Sequence, residues 1–148
     1  MERTLLILKP DCVARALCGK VITRLEEKSL RIVALKMIRV SKELAEKHYA
    51  EHKGKPFFGE LIDFITAGPV VPLVVEGRNA VAVCRKLLGK TDCSESEPGT
   101  IRGDFGNSKG FNLVHGSDSP ESAAREIAIW FKPEEIVGNN LFDTRFCE

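Results

Sequence analysis

The chain contains three histidines, and one of them, His115, has a local sequence that suits chemistry. It stands in Asn-Leu-Val-His-Gly-Ser-Asp-Ser, where an apolar segment runs into a glycine-containing turn and then into a helix start. This order holds an imidazole at the rim of a sheet, beside the positive end of a helix. An imidazole there can act as a nucleophile near neutral pH. On position alone, a surface or satisfied core histidine is the commoner outcome.

Glu126 is the candidate partner of His115. It falls on the predicted helix that follows His115, one turn below its start, on the side that can face back to the strand. A carboxylate bound to one ring nitrogen fixes the tautomer and leaves the other nitrogen free to attack. Taken alone, a glutamate at such a position is more often a solvated charge on the helix surface.

Three basic residues occupy positions that suit an anion. Lys9 stands where a buried segment ends, Arg85 lies just off the apolar stripe of a helix, and Arg102 lies among glycines. Each is singly most often a surface charge, and together they favour phosphate binding. The standard nucleotide motifs are absent: Gly89-Lys90-Thr91 resembles the end of a Walker A loop, but its upstream glycine is replaced by Cys84.

Four apolar segments predict strands, and helical periodicity predicts what lies between them. The predicted strands are Thr4–Leu8, Arg31–Val40, Val70–Val75 and Phe111–His115. The predicted helices are Leu17–Leu25, one capped by Ser41, one opened by Pro56, one from an Asn79 cap to Leu88, and one from Ser119 with Ala123, Ala124, Ile127, Ala128 and Phe131 inward. Residues 89–110 predict a long loop, which compact domains rarely carry without a functional reason.

The order of these elements predicts the fold class. With the helices between residues 41 and 65 set aside as an insert, the order matches the split βαβ, or ferredoxin-like, pattern of an α+β domain. It predicts a four-stranded antiparallel sheet with helices on its faces. A small doubly wound sheet is the alternative, and it fits less well because the second strand leads into short helices.

Composition limits the class of protein further. The chain has 148 residues, 43% of them hydrophobic, which predicts a single domain over residues 1–148 with a sizeable core. A net charge of +1 counts against nucleic acid as the main partner, and the longest apolar stretch is too short for a membrane span. Five cysteines, an odd number without a C-x-x-C pair, and an N-terminus unlike a signal peptide predict a cytoplasmic location.

Several separated segments resemble the nucleoside diphosphate kinase family, in its order and spacing, from about residue 2 to 137. They are Thr4–Asp11, Tyr49–Gly59, Gly68–Val70, Pro98–Phe105, Asn112–Ser119 and Glu121–Ile127. The histidine segment and Pro-Gly-Thr-Ile-Arg-Gly-Asp-Phe are together highly specific. The resemblance implies a ferredoxin-like fold, which agrees with the order of elements.

The resemblance also implies an activity and a set of roles. The implied reaction transfers the γ-phosphate of a nucleoside triphosphate, typically ATP, to a nucleoside diphosphate by a ping-pong mechanism, through a phosphohistidine at His115. Mg²⁺ would be held mainly by the nucleotide phosphates, with no metal-binding residue of the protein. The matching residues are Glu126 and Ser117, which orient His115; Lys9, Tyr49, Arg85, Thr91, Arg102 and Asn112, which contact phosphate or sugar, with Lys9 and Tyr49 also counted as catalytic; and Phe57, on which the base stacks.

Two further expectations follow from the resemblance. Family members are tetramers or hexamers built from a common dimer, and we favour a hexamer. The alternative function is a non-catalytic nucleotide-binding or sensing subunit of the same fold. Such a relative would be expected to have lost His115, Lys9 or Arg102, and the chain retains all three.

Overall fold

The computed structural model describes residues 1–138, and within them four strands form one antiparallel sheet in the order β2-β3-β1-β4. The strands are β1 at Glu2–Leu8, β2 at Arg31–Leu35, β3 at Val71–Gly77 and β4 at Val114–Gly116. The central pair, β1 and β3, is in register from Glu2 opposite Gly77 to Leu8 opposite Val71. This is the ferredoxin-like arrangement that the order of elements predicts.

Seven α-helices connect and cover the strands within residues 1–138. They are α1 Pro10–Ala14, α2 Cys18–Glu27, α3 Lys42–His48, α4 Phe58–Ile65, α5 Ala80–Leu88, α6 Ile101–Phe105 and α7 Pro120–Trp130. Ser41 and Ser119 cap α3 and α7 as predicted, because each hydroxyl accepts a backbone N–H of the first turn. None of the described helices is long and apolar enough to cross a membrane.

The hydrophobic core lies on both faces of the sheet. Successive side chains of a strand point to opposite faces, so Leu6 and Leu8 pack against α2 and α5. Leu5 and Ile7 pack on the other face against α3, α4 and α7. This double burial explains why β1 is continuously apolar and does not alternate.

Two predicted strands are too long. The prediction of Arg31–Val40 is wrong beyond Leu35. The carbonyl of Pro72 in β3 accepts from the N–H of Lys36 at 3.2 Å, but proline has no N–H to donate back. The ladder therefore breaks and resumes only as an isolated bridge between Ile38 and Val70.

The prediction of Phe111–His115 is wrong at both ends, because β4 spans Val114–Gly116. Leu113 has a φ of 73°, in the left-handed region that a strand cannot use. Phe111 is 60% exposed and lies outside the ladder.

The segment 89–110 is more ordered than its sequence predicts. It contains a 3₁₀ turn at Cys93–Glu95 and helix α6. Thr100 caps α6 by accepting the N–H of Gly103 at 2.9 Å, and Ile101 is fully buried. A five-residue helix shows too little periodicity to be read from sequence.

Two predicted helix starts need correction. Asn79 does not cap α5 with its side chain; the carboxylate of Glu2 accepts from the N–H of Val81 instead. Helix α4 begins at Phe58, two residues after Pro56.

The predicted apolar stripe of α7 is rotated from the observed one. Ala124 and Ala128 are exposed, whereas Ala123, Glu126 and Trp130 are the buried residues of this helix. The face of α7 that is buried includes the polar residue Glu126, which a pattern of apolar residues does not mark.

Candidate active site

Strand β4 and helix α7 bring His115 and Glu126 together. His115 stands in the middle of β4, and its Nε2 lies 2.7 Å from Oε1 of Glu126. Ser117 donates its hydroxyl to the same oxygen at 2.8 Å and is buried. Glu126 can accept this N–H only if Nε2 carries the proton, so Nδ1 is the nitrogen of His115 that keeps a lone pair.

The glutamate stays ionised despite its burial. Burial raises the pKa of Glu126, but the hydrogen bonds and charge interactions with His115, together with the Ser117 hydroxyl, outweigh it and leave the pKa below its usual value. Arg125 lies 3.6 Å from the other carboxylate oxygen. A carboxylate at neutral pH therefore holds the imidazole in one tautomer.

His48 packs against His115 and lines the same cavity, Trp130 packs against His48, and the sequence predicted neither contact. The ring of His48 meets that of His115 edge to face, with centroids 4.7 Å apart at 86°. Trp130 donates its indole N–H to Nδ1 of His48 at 3.1 Å. Burial and the nearby His115 lower the pKa of His48 to about 3, so this ring is uncharged. His48 is far from His115 in sequence and shows no spacing signal, whereas Trp130 stands four positions after Glu126, a helical spacing that places the two on one face of α7.

A cavity of about 220 Å³ opens in front of His115. Tyr49 and Arg85 line it together with His115, and Arg85 also donates to the carbonyl of Gly116 at 3.2 Å. Burial and the charge of Glu126 raise the pKa of Tyr49 to about 12, so its hydroxyl remains a hydrogen-bond donor. The predicted residues Tyr49 and Arg85 thus adjoin the histidine.

The segment between Lys9 and Asp11 clamps the residue that leads into β4. Lys9 donates its backbone N–H to the carbonyl of Leu113 at 2.8 Å. Asp11 accepts the N–H of Leu113 at 3.0 Å through its carboxylate. These two bonds hold Leu113 in its left-handed conformation, a strained geometry that costs about 1–3 kcal/mol and is typical of functional sites. The clamp fixes the direction in which the chain enters β4.

Lys9 is also a charged group of the site. Burial and the charge of Arg102 lower its pKa to about 8, against the opposing effects of Asp11 and Cys93. Its ammonium lies 5.9 Å from the centre of the Phe64 ring. At neutral pH, Lys9 is therefore mostly charged but only slightly below its pKa. An anionic ligand would raise that pKa and keep Lys9 charged.

Arg102 is buried and its guanidinium binds backbone. It donates to the carbonyls of Asn112 at 3.2 Å, Gly89 at 3.0 Å and Val114 at 2.6 Å. Burial and the charge of Arg85 lower its pKa to about 10, so it stays charged at neutral pH. The anion contact of Arg102 stays a prediction; in the structure its guanidinium joins the end of α5, the following loop and β4.

Asn112 and Thr91 meet through a side chain and a backbone group. The amide of Asn112 donates to the carbonyl of Thr91 at 3.1 Å, which fixes the orientation of the amide. Its Oδ1 is buried and accepts no hydrogen bond from the described residues. This oxygen is an acceptor whose donor does not come from the described residues.

Phe57 lines a second cavity of about 350 Å³, which shares Tyr49 with the first and includes Lys9. Phe57 is 43% exposed, and its ring lies 5.4 Å from that of His52. Phe64 and Phe111 also line this cavity, with ring centroids 5.3 Å apart. An apolar cavity beside a cation suits a ligand with a flat ring at one end and charge at the other.

The predicted site residues converge on one region of the molecule. Tyr49 lines both cavities, Lys9 lines the second, and the chain around β4 links Asn112 and Arg102 to His115. Thr91 enters this network through its carbonyl. The roles assigned to these residues in a reaction stay predictions.

The family comparison agrees with this geometry. The family model described as nucleoside diphosphate kinase matches residues 2–136. The chain belongs to the nucleoside diphosphate kinase family.

Individual relatives support the same assignment. The nucleoside diphosphate kinase of Thermococcus kodakarensis is 59% identical over 139 residues, which cover 92% of this chain and 80% of the relative. That of Archaeoglobus fulgidus is 59% identical over 137 residues, covering 93% and 91%. The structure of the Halobacterium salinarum enzyme in complex with CDP superposes with a TM-score of 0.91 at 49% identity, covering 96% of this chain and 93% of the other.

Proposed function

We propose that this chain is a nucleoside diphosphate kinase that moves a γ-phosphate between nucleotides through a phosphohistidine at His115. One observation carries the proposal: Glu126 binds Nε2 of His115 at 2.7 Å and leaves Nδ1 with its lone pair beside a cavity lined by Arg85 and Tyr49. Membership of the family supports the reaction.

The reaction divides into two half-reactions. In the first, Nδ1 of His115 forms a bond to the γ-phosphorus, and the bond from that phosphorus to the bridging oxygen breaks with its electron pair going to the departing diphosphate. In the second, the terminal oxygen of another diphosphate attacks the same phosphorus and the bond to Nδ1 breaks. No group other than phosphate is gained or lost, so the protein returns to its starting state.

The imidazolium formed on phosphorylation needs a counter-charge. Glu126 supplies it, since its carboxylate already accepts the Nε2 proton and is held by Ser117. The arrangement stabilises positive charge on the ring as the new bond forms. Glu126 and Ser117 are therefore proposed as orienting residues that take no phosphate themselves.

Phosphoryl transfer depends mainly on positioning and on neutralising charge on the phosphate oxygens. Arg85 and Lys9 lie on the cavities beside His115 and suit this role. Arg102 adds positive charge, and two of its five N–H donors are left by the three backbone contacts.

A divalent metal would be bound by phosphate oxygens. Glu126 is engaged by His115 and Ser117, and the other carboxylates that line the cavities, Glu51, Glu60 and Asp118, belong to no cluster of three potential metal ligands among the described residues. A metal that arrives with the nucleotide fits this lining, and we propose Mg²⁺. The metal would neutralise phosphate charge during transfer.

Phe57 is proposed to stack on the base, and Asn112 to accept a hydrogen bond from the sugar through its unpartnered Oδ1. Every base offers a π-face, so a stacking contact discriminates little between bases. We expect purine and pyrimidine, ribo- and deoxyribonucleoside diphosphates all to be accepted, with modest differences in kcat/KM.

The test is a coupled assay of phosphate transfer from ATP to a panel of diphosphates, with the Lys42→Ala protein as a control for an exposed substitution at the start of α3, outside the residues that line the two cavities. Transfer to all bases supports the proposal. Nucleotide binding without transfer would favour the non-catalytic alternative, and restriction to one base would contradict the proposed role of Phe57.

We also propose a homo-oligomer, with a hexamer favoured over a tetramer. Strand β2 lies at an edge of the sheet, and Leu35 on it and Met37 just beyond it are 49% and 62% exposed. An edge strand with exposed apolar side chains suits pairing with a second copy. Light scattering at micromolar concentration should show an oligomer, and a monomer would contradict this.

A single domain over residues 1–148 and a cytoplasmic location remain part of the proposal.

A further inference from the structure

His48 is the buried titratable group nearest to the nucleophile for which the proposed reaction has no use. It is 4% exposed and lies at the end of α3, and its ring contacts those of Tyr49, His115 and Trp130. A buried imidazole so close to His115 adds a second basic nitrogen beside the reacting one. Its protonation and tautomer therefore matter to the site.

The contact with Trp130 fixes the tautomer of His48. The indole nitrogen can only donate, so Nδ1 of His48 must accept at 3.1 Å and must carry no proton. The ring is neutral, and its single proton is then on Nε2. His48 has no free lone pair on either nitrogen in this state.

This tautomer excludes a role that the geometry would otherwise suggest. One ligand atom each from His48, His115 and Glu126 lie within 4.8 Å of one another, a donor set known from zinc sites. A metal at His48 needs an unprotonated nitrogen with a free lone pair, and the Trp130 bond leaves none. The same argument prevents His48 from competing with His115 as a nucleophile.

The edge-to-face contact of the two histidine rings has a mechanical consequence. Glu126 restrains the Nε2 side of His115, and the His48 ring restrains rotation of the imidazole because it stands at 86° with centroids 4.7 Å apart. Two restraints in different directions define one orientation of a ring that has two side-chain torsions.

We propose that His48 is a positioning residue: Trp130 fixes its tautomer, and its neutral ring holds His115 in the orientation that leaves Nδ1 free to accept phosphate. The inference rests on the proposed function, since it assumes that His115 is phosphorylated. The groups around His48 agree with a neutral ring, because the cations Arg125 and Lys9 and the neighbouring His115 all disfavour its protonation and only Glu126 favours it.

Two variants separate the two parts of the proposal. His48→Gln keeps an acceptor for Trp130 but removes the ring beside His115. Trp130→Phe keeps an aromatic ring but removes the donor that fixes the tautomer. Phe131→Leu is the matched control. Phe131 is buried in the same hydrophobic cluster as Trp130, and the hydrogen bond to His48 comes from Trp130 and not from Phe131.

The measurements are the single-turnover rate of phosphorylation at His115 with ATP and Mg²⁺, the Kd for ATP, and the ¹⁵N NMR signals of the imidazole nitrogens. We expect phosphorylation by His48→Gln to slow by about 10- to 100-fold, the loss that a misplacement of about 1 Å causes. The Kd should change by less than about twofold, because His48 lines the cavity in front of His115 but is only 4% exposed and offers little surface to a ligand. The control should phosphorylate at the rate of the unmodified protein.

The NMR signals test the tautomer directly. In the unmodified protein, Nδ1 of His48 should be unprotonated and Nε2 protonated, and Trp130→Phe should show a mixture of the two tautomers. Protonated Nδ1 in the unmodified protein, or normal phosphorylation by His48→Gln, would overturn the inference. Absence of phosphate on His115 in the unmodified protein would instead overturn the proposed function.

Discussion

The two halves of the site are built by different kinds of hydrogen bond. Around His115, which we call the histidine side, hydrogen bonds join one side chain to another. Trp130 donates to His48, and Ser117 and His115 donate to Glu126. On the phosphate side, Arg102 and Asp11 bind backbone groups. The first network sets the protonation and direction of one ring, whereas the second sets the path of the chain.

This difference follows from what each side must do. A nucleophile needs one tautomer and one orientation, and only side-chain partners can specify both. A site for an anion needs cations and N–H groups at fixed positions, and these are fixed once the loop is fixed. Substitutions on the two sides should therefore have different effects. Those on the histidine side should lower the rate of phosphate transfer, and those on the phosphate side should lower the stability of the fold.

The largest effect on stability is expected for Arg102→Met. The substitution removes the donor to the carbonyls of Gly89 and Val114 and one of two donors to the carbonyl of Asn112, which keeps the N–H of Val114. Each carbonyl left without a donor costs about 1–3 kcal/mol, so the free energy of unfolding should fall by roughly 2 kcal/mol or more. Urea denaturation would measure the change.

Arg24→Met is the matched control for Arg102→Met. Arg24 also bonds a backbone carbonyl, that of Gly99, and pairs with Asp104, but both side chains of this pair are partly exposed. Exposed pairs contribute about 1 kcal/mol or less. Equal losses for the two variants would show that Arg102 does not join the loop segments as described.

On the histidine side, Glu126→Gln should reduce the rate with little change in folding. The amide keeps the size of the side chain but loses the charge that stabilises the imidazolium. We expect kcat to fall by about 100-fold, on the scale of removing one preorganised stabilising group. Stopped-flow phosphorylation with ATP would measure it, and a fall in stability without a fall in kcat would contradict the comparison.

Ser117→Ala should have a smaller effect on the same rate. Glu126 keeps its charge and its bond to His115 but loses one of two donors to Oε1. A hydrogen bond to a charged group contributes about 1.5–3 kcal/mol, so a loss of roughly 10- to 100-fold is the upper range for kcat. A variant slower than Glu126→Gln would reverse the roles given to the two residues.

The order of strands and helices and the pairing of His115 with Glu126 could be predicted from the sequence, for physical reasons. Burial of β1 on both faces produces an apolar segment, and helical spacing after Ser119 brings Glu126 back toward His115. Both are local patterns. The burial of Glu126 was not predicted, because its partners Ser117 and His115 lie on another element.

What the sequence could not show are contacts between distant segments. His48 and Trp130 are 82 positions apart, and no periodicity links them. The break in β2 depends on a missing N–H in Pro72 of a neighbouring strand. The buried state of Arg102 depends on three carbonyls from the end of α5, the loop and β4, which only the fold brings together.

The smallest expected effect is a pH dependence from Lys9 on the phosphate side. Its pKa is lowered to about 8, so Lys9 is charged below this pH and loses its proton as the pH rises through it. The kcat/KM for ATP should therefore fall above about pH 8, whereas kcat should not, because bound phosphate favours the charged form. Lys9→Arg should lack this alkaline fall, and its persistence would assign the fall to another group.

The most direct test of the account is the fate of phosphate in the absence of an acceptor. Mixed with ATP labelled at the γ-phosphate and Mg²⁺, the protein should take up a label that acid removes and base does not, as expected for phosphate on nitrogen. The label should be absent from His115→Ala and should remain on His52→Ala, because His52 lines the same cavity but is not the proposed phosphate carrier. A label that persists in His115→Ala would contradict the assignment of His115 as the phosphate carrier.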